Sequence, residues 1–154
     1  MKTHVIERRA HAGASPADAF ALLADSVAWP EWSPIGSATV DRPGVPIPDG
    51  VGQIRTLRTG RITSVEEIVA FEPDEHYAYV LHSGLPIRNY RADVRLRAGV
   101  AGTEISWRST FEAKVPFTGW IYRLALGRFI GQVIDGFVAR LAAGPDTSSP
   151  VSST

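Results

Sequence analysis

Residues 117–142 (FTGWIYRLALGRFIGQVIDGFVARLA) constrain the fold more than any other stretch, because they alone are long and periodic enough to make a major helix. Nearly everything before them reads as short strands punctuated by turn residues. A helix and a sheet each carry an apolar face, and with no second long helix each must bury it against the other. The helix is not uniform, however. At about 100° per residue, Phe117, Trp120, Ile121 and Leu124 share one side. Leu126, Phe129, Ile130, Val133, Ile134 and Phe137 fall on nearly the opposite side, with Val138 and Leu141 continuing that stripe. The stripe changes phase around Ala125-Leu126-Gly127, so one straight helix cannot bury both clusters against one sheet. The second half is predicted to be what the sheet grips. The first half is predicted to bend at Gly127, to form a separate short helix, or to turn its apolar side elsewhere. That elsewhere is a cavity entrance, a partner chain or a lipid surface, met through Trp120 and Ile121.

The rest of the chain reads in order as one strand, two short helices and six strands. A first strand covers Thr3 to Ala14. Ser15-Pro16-Ala17-Asp18 is a helix start, with a capping serine, a proline at the first helical position and an aspartate three residues after the cap. The prolines of Asp25–Pro34 allow only a short turn of helix. Strand candidates follow at 35–41, 51–59, 61–71, 76–83, 88–97 and 103–114, joined mostly by short turn-type linkers that favour an antiparallel meander. Alternation is clearest in the last two. Tyr90, Ala92, Val94 and Leu96 oppose a charged row, and Ile105, Trp107, Ser109 and Phe111 oppose another polar row. One wet face per strand means a sheet covered on one side only. Gly144-Pro145 stops the long helix. The reading is a single α+β domain over residues 1–143 and a polar tail at 144–154 with nothing to bury, expected to be disordered.

Composition removes several function classes. Sixteen basic and sixteen acidic residues give zero formal charge, without the basic excess a nucleic-acid partner needs. There is no cysteine, which excludes thiol catalysis and thiolate metal sites. His76 and His82 share a strand face but stand roughly 20 Å apart, so no metal site is expected, and no cofactor motif is present. MKTHVIERR lacks the apolar core of a signal peptide, and no run of about 18 apolar residues could span a membrane. The expected location is the cytoplasm.

Element order and local residues together resemble the START-like, or SRPBCC, superfamily, which includes the polyketide cyclase/dehydrase and lipid-transport proteins. The residues are Ala14-Ser15-Pro16 before Phe20-Ala21-Leu22-Leu23-Ala24-Asp25, then Trp29-Pro30-Glu31-Trp32-Ser33-Pro34, Val51-Gly52, Phe71-Glu72-Pro73 and Gly102-Thr103. The resemblance implies a helix-grip fold: a curved seven-stranded antiparallel sheet wrapped around the C-terminal helix, with two short helices after the first strand. It also implies a hydrophobic small-molecule ligand, such as a lipid, sterol-like or polyketide-like compound, held between sheet and helix. An enzyme of the polyketide cyclase/aromatase type is the alternative, and a ligand-dependent interaction protein gated by Val45-Pro46-Ile47-Pro48 is a third.

Candidate ligand contacts are Tyr90, Trp107 and Phe111 on inward faces, Trp32 near the expected mouth, Tyr79 and Leu81 on a neighbouring strand, and Phe129 and Val133 on the helix. These aromatics could equally fill a closed core. Glu66 and Glu67 are adjacent, so one of them must point inward unless a bulge intervenes. Arg55 shares parity with Val51 and Leu57, and an inward Arg55–Glu67 pair is one solution; solvated side chains at strand edges are the other. Arg55, His82 and Tyr90 are the groups an enzyme would draw on, but no nucleophile arrangement or shared motif assigns a catalytic role.

Overall fold

The structure is a computed structural model and describes residues 2–144; of the tail expected at 144–154, all but Gly144 lies outside the described residues. β1 (Thr3–Ala12) leads into α1 (Pro16–Ala24), a 3-10 turn (Ser26–Ala28) and the one-turn α2 (Trp29–Trp32). The meander follows as β2 (Ser37–Arg42), β3 (Ile54–Thr59), β4 (Ile62–Glu72), β5 (His76–Ser83), β6 (Ile87–Gly99) and β7 (Gly102–Ala113), and α3 (Gly119–Ala142) ends the fold. The seven strands form one antiparallel sheet in the order β1-β7-β6-β5-β4-β3-β2. The chain begins at one edge. α1 and α2 carry it to the far edge, and the meander returns until β7 pairs with β1.

The local chemistry follows the sequence closely. Ser15 Oγ accepts from the Asp18 N–H at 3.1 Å, and Pro16 opens α1, so that Ala19, Phe20 and Leu23 are buried. Tyr90, Ala92, Val94 and Leu96 of β6 and Ile105, Trp107, Ser109 and Phe111 of β7 are all buried, as the alternation requires. The strand expected from Val51 begins only at Ile54. The preceding residues are tied into turns by Gly44 N–H to Pro48 carbonyl and Gly50 N–H to Ile47 carbonyl.

α3 is one continuous helix, so no separate short helix forms before Gly127. Its second half buries Ile130, Val133, Ile134 and Phe137. Fully burying a side chain such as Phe137 stabilises the fold by about 1.5–3 kcal/mol. Its first half leaves Trp120, Ile121 and Leu124 facing outward. The phase change is thus resolved by exposure, with Gly119 and half-buried Tyr122 and Leu126 on the inner side instead. Gly136 is required where α3 crosses α2, because a Cβ there would run into the Trp32 carbonyl. That close approach lets Trp32 pack on Phe137, ring centroids 5.4 Å apart.

Candidate functional site

The turn at Gly60-Arg61 sets Thr59 opposite Ile62, and that register puts Arg55 directly across from Glu66. Both are buried on the side of the sheet covered by the helices. Arg55 Nε and Nη2 donate to Glu66 Oε1 at 3.1 and 2.9 Å. Nη1 donates to Ser26 Oγ and to the Tyr77 hydroxyl, each at 3.2 Å. The Ser26 hydroxyl donates to Gln53 Oε1 at 2.6 Å, and Gln53 Nε2 donates to the Pro48 carbonyl at 3.2 Å. The guanidinium carbon stands 4.1 Å from the Trp29 ring centroid and 4.8 Å from that of Tyr79. These contacts compensate a cation that would be very costly to bury alone. They also tie the loop before β3, the 3-10 turn and α2 to β3, β4 and β5.

Burial works against the Arg55 charge, but the fields of Tyr77, Glu66 and Tyr79 and the bond to Glu66 leave its pKa raised. For Glu66, burial dominates and pushes the carboxyl pKa up; Arg55 offsets only part of that rise. Burial likewise pushes Tyr90 up to about 12 and raises Tyr77 and Tyr79. The three phenols are therefore neutral hydrogen-bonding groups at physiological pH.

Between these strands and α3 lies a cavity of about 70 Å³. Trp29, Leu57, Tyr79, Tyr90 and Trp107 wall it on one side, and Ile130 and Val133 of α3 close it on the other. Half-buried Leu81, Leu85, Leu126 and Phe129 form its outer rim. Glu66 and Ser64 add polar groups to this lining. Among the described residues no side chain or backbone group bonds Glu66 Oε2, since both Arg55 contacts go to Oε1. The Tyr90 hydroxyl lies 3.1 Å from Ser109 Oγ. Trp107 and Trp32 each hold a buried indole N–H without a partner among the described residues, a deficit of about 1–3 kcal/mol apiece.

Six of the sequence-predicted contacts meet at this cavity: Tyr79, Leu81, Tyr90, Trp107, Phe129 and Val133. The other four do not. Trp32 is buried against Trp29 and Phe137, where it fills the α2–α3 crossing. Phe111 is buried beside His4, ring centroids 5.3 Å apart. Arg55 is inward but sealed by its own partners and does not line the cavity. Glu67 is corrected outright: it faces the other side of the sheet and accepts from or donates to no Arg55 atom, meeting His82 Nε2 at 3.0 Å instead. The carboxylate that pairs with Arg55 is Glu66. A two-residue turn at Gly60-Arg61 would have found it, since that turn alone fixes which β4 residue lies opposite Arg55. His82 is exposed on the outer face, and the Val45–Pro48 loop is absent from the rim.

A seven-stranded antiparallel sheet gripping one long helix defines a domain of the START-like, helix-grip class. The chain belongs to the family described as polyketide cyclase / dehydrase and lipid transport, whose model matches residues 3–144. No curated protein sequence matches it. Solved structures share the fold at low identity. A START superfamily protein from Mycobacterium smegmatis superposes with a TM-score of 0.74 at 17% identity, over 90% of this chain and 97% of that one. XoxI from Bacillus cereus gives 0.72 at 17% identity, over 92% and 96%. The di-domain ARO/CYC StfQ from the steffimycin biosynthetic pathway gives 0.72 at 18% identity, over 92% of this chain and 50% of that one.

Proposed function

We propose that the chain binds a hydrophobic small molecule carrying a hydrogen-bond donor, held between the sheet and α3 with the donor on Glu66. The observation that carries this reading is the lining itself: aromatic and aliphatic walls with a carboxylate whose Oε2 has no partner among the described residues. Such lining, apolar with few polar groups, is what small-molecule sites have. The cavity is small, at about 70 Å³ against roughly 300–1,000 Å³ for sites holding drug-sized ligands. A lipid or polyketide-like ligand therefore enters by parting Leu85, on the β5–β6 turn, from Leu126 and Phe129 on α3. Mass spectrometry of freshly purified protein under native conditions tests this. A co-purified apolar molecule is expected, lost in Val133→Trp, which fills the cavity, and weakened in Glu66→Gln. No retained molecule, and no binding across a panel of lipids, sterols and aromatic polyketides, would sink the reading.

A second reading, polyketide cyclase/aromatase chemistry, is favoured by one observation. A carboxylate of raised pKa and a neutral phenol, Glu66 and Tyr90, line the same cavity. One could take a proton from carbon while the other polarises the adjacent carbonyl. No turnover of poly-β-keto substrates above background removes it.

A further inference from the structure

The outward side of α3 changes character along its length. Phe117, Trp120, Ile121 and Leu124 are 94%, 62%, 48% and 67% exposed. Further along the same side come Arg128, Gln132 and Asp135, the ordinary polar face of a surface helix. Nothing among the described residues covers the apolar half. Phe117 combines this exposure with a positive φ of 67°, a conformation costly for a bulky side chain and held here at the tip of the β7–α3 turn. Val115, also exposed, continues the patch into that turn.

Charge decides what such a patch would meet. An open groove of about 650 Å³ beside it is lined by Lys2 and Lys114 along with Phe117 and Trp120. Arg123 and Arg128 flank the patch on the helix, and the first acidic residue of α3 is Asp135. Of the carboxylates on β7 and β1, Glu112 accepts from Asn89 and Glu7 pairs with Arg9. A protein with zero formal charge thus sets four cations, Lys2, Lys114, Arg123 and Arg128, around this exposed apolar patch. Tryptophan and phenylalanine at a projecting tip, ringed by lysine and arginine, suit the boundary between acyl chains and anionic headgroups.

We propose that the first half of α3 and the β7–α3 turn dock on an anionic lipid bilayer, lying in its interface without crossing it. This docking does not depend on the cavity holding a ligand. Of the four tryptophans, Trp29, Trp32 and Trp107 are buried, so a fluorescence change on docking reports Trp120. The test is co-sedimentation and tryptophan emission with vesicles of phosphatidylcholine alone and of phosphatidylcholine mixed with phosphatidylglycerol. Binding to the anionic vesicles with a blue shift is expected, weakening as salt rises. Phe117→Ser with Leu124→Ser should cut partitioning about tenfold or more with no loss of thermal stability, since both side chains are exposed. Lys2→Glu with Lys114→Glu should abolish the preference for anionic vesicles. Three results would overturn the proposal: no binding to anionic vesicles at low salt, binding indifferent to the serine substitutions, or self-association lost in the serine variant with no vesicle binding. The last would assign the patch to a second copy of the chain.

Discussion

Glu66 and Glu67 are neighbours on β4, yet Glu66 points under the helices to Arg55 while Glu67 points outward to His82. The two pairs have nearly the same length, 2.9 and 3.0 Å. Distance therefore says little about what each is worth. The Arg55 side chain is fully buried and that of Glu66 is nearly so, whereas His82 is about half exposed. In the interior, losing one partner strands a charge that water cannot reach, which costs far more than the intact pair contributes. On the surface, water and salt replace either partner. The comparison also divides function from scaffolding. Only the inward carboxylate lines the cavity, and its position is held by Arg55.

Removing the cation breaks the comparison most severely. Arg55→Ala is expected to cost about 3–5 kcal/mol, read as a lower midpoint in urea unfolding. The partial offset that Arg55 gives the Glu66 pKa disappears with it, so that carboxyl moves higher still. The unfolded chain surrenders its proton at the ordinary carboxylate pKa while the folded variant must hold it. The loss should therefore deepen as pH rises above that range. A variant as stable as the parent at neutral pH would show that the interior pair is energetically a surface pair.

Glu66→Gln is the subtler change, because the amide oxygen can still accept from Arg55. The native Glu66 pKa is raised above its usual 4.5, so the folded state binds more protons than the unfolded state just above that value. The site's contribution to stability then falls as pH rises from about 4.5 toward the folded pKa, and it is fully present below. Glutamine has no such slope. Near pH 4.5 the variant should lie within about 1 kcal/mol of the parent, as for a neutral hydrogen bond exchanged for another. It should gain relative to the parent as pH rises. A gap that widens in the parent's favour at higher pH would mean that Arg55 outweighs burial and that the Glu66 pKa is in fact depressed.

Only part of the contrast between Glu66 and Glu67 was legible in the sequence. Period-two alternation required that one face inward, and the strongly alternating β6 and β7 placed Tyr90 and Trp107 at the cavity without further help. β4 offers no such contrast. Val65 and Ile68 flank the two glutamates symmetrically, and the β4–β5 pairing shifts register on both sides of them, between Val65 and Glu66 and between Ile68 and Ala70. Hydrophobic pattern alone could not choose, but the β3–β4 turn could. α3 shows the opposite case. Its two apolar clusters, and which of them the sheet grips, were plain in the periodicity, but not that the helix runs unbroken past Gly127 with the first cluster exposed. Trp32 was expected near the mouth and not as a packing residue, since the α2–α3 crossing depends on a backbone approach at Gly136 that no pattern encodes.

The smallest effect belongs to the outer pair, and it tests the comparison from the other side. Glu67→Gln and His82→Ala should each change stability by less than about 1 kcal/mol, and a double-mutant cycle between them should return a coupling no larger. What coupling exists should shrink with added salt, because both side chains reach solvent. Retention of any co-purified ligand should be unchanged in Glu67→Gln, in contrast to Glu66→Gln, because Glu67 lies across the sheet from the cavity. Native mass spectrometry of the two glutamine variants side by side makes the measurement. Equal loss of ligand from both would mean that the sheet transmits what Glu67 does, and that facing away from the cavity does not exempt a residue from acting on it.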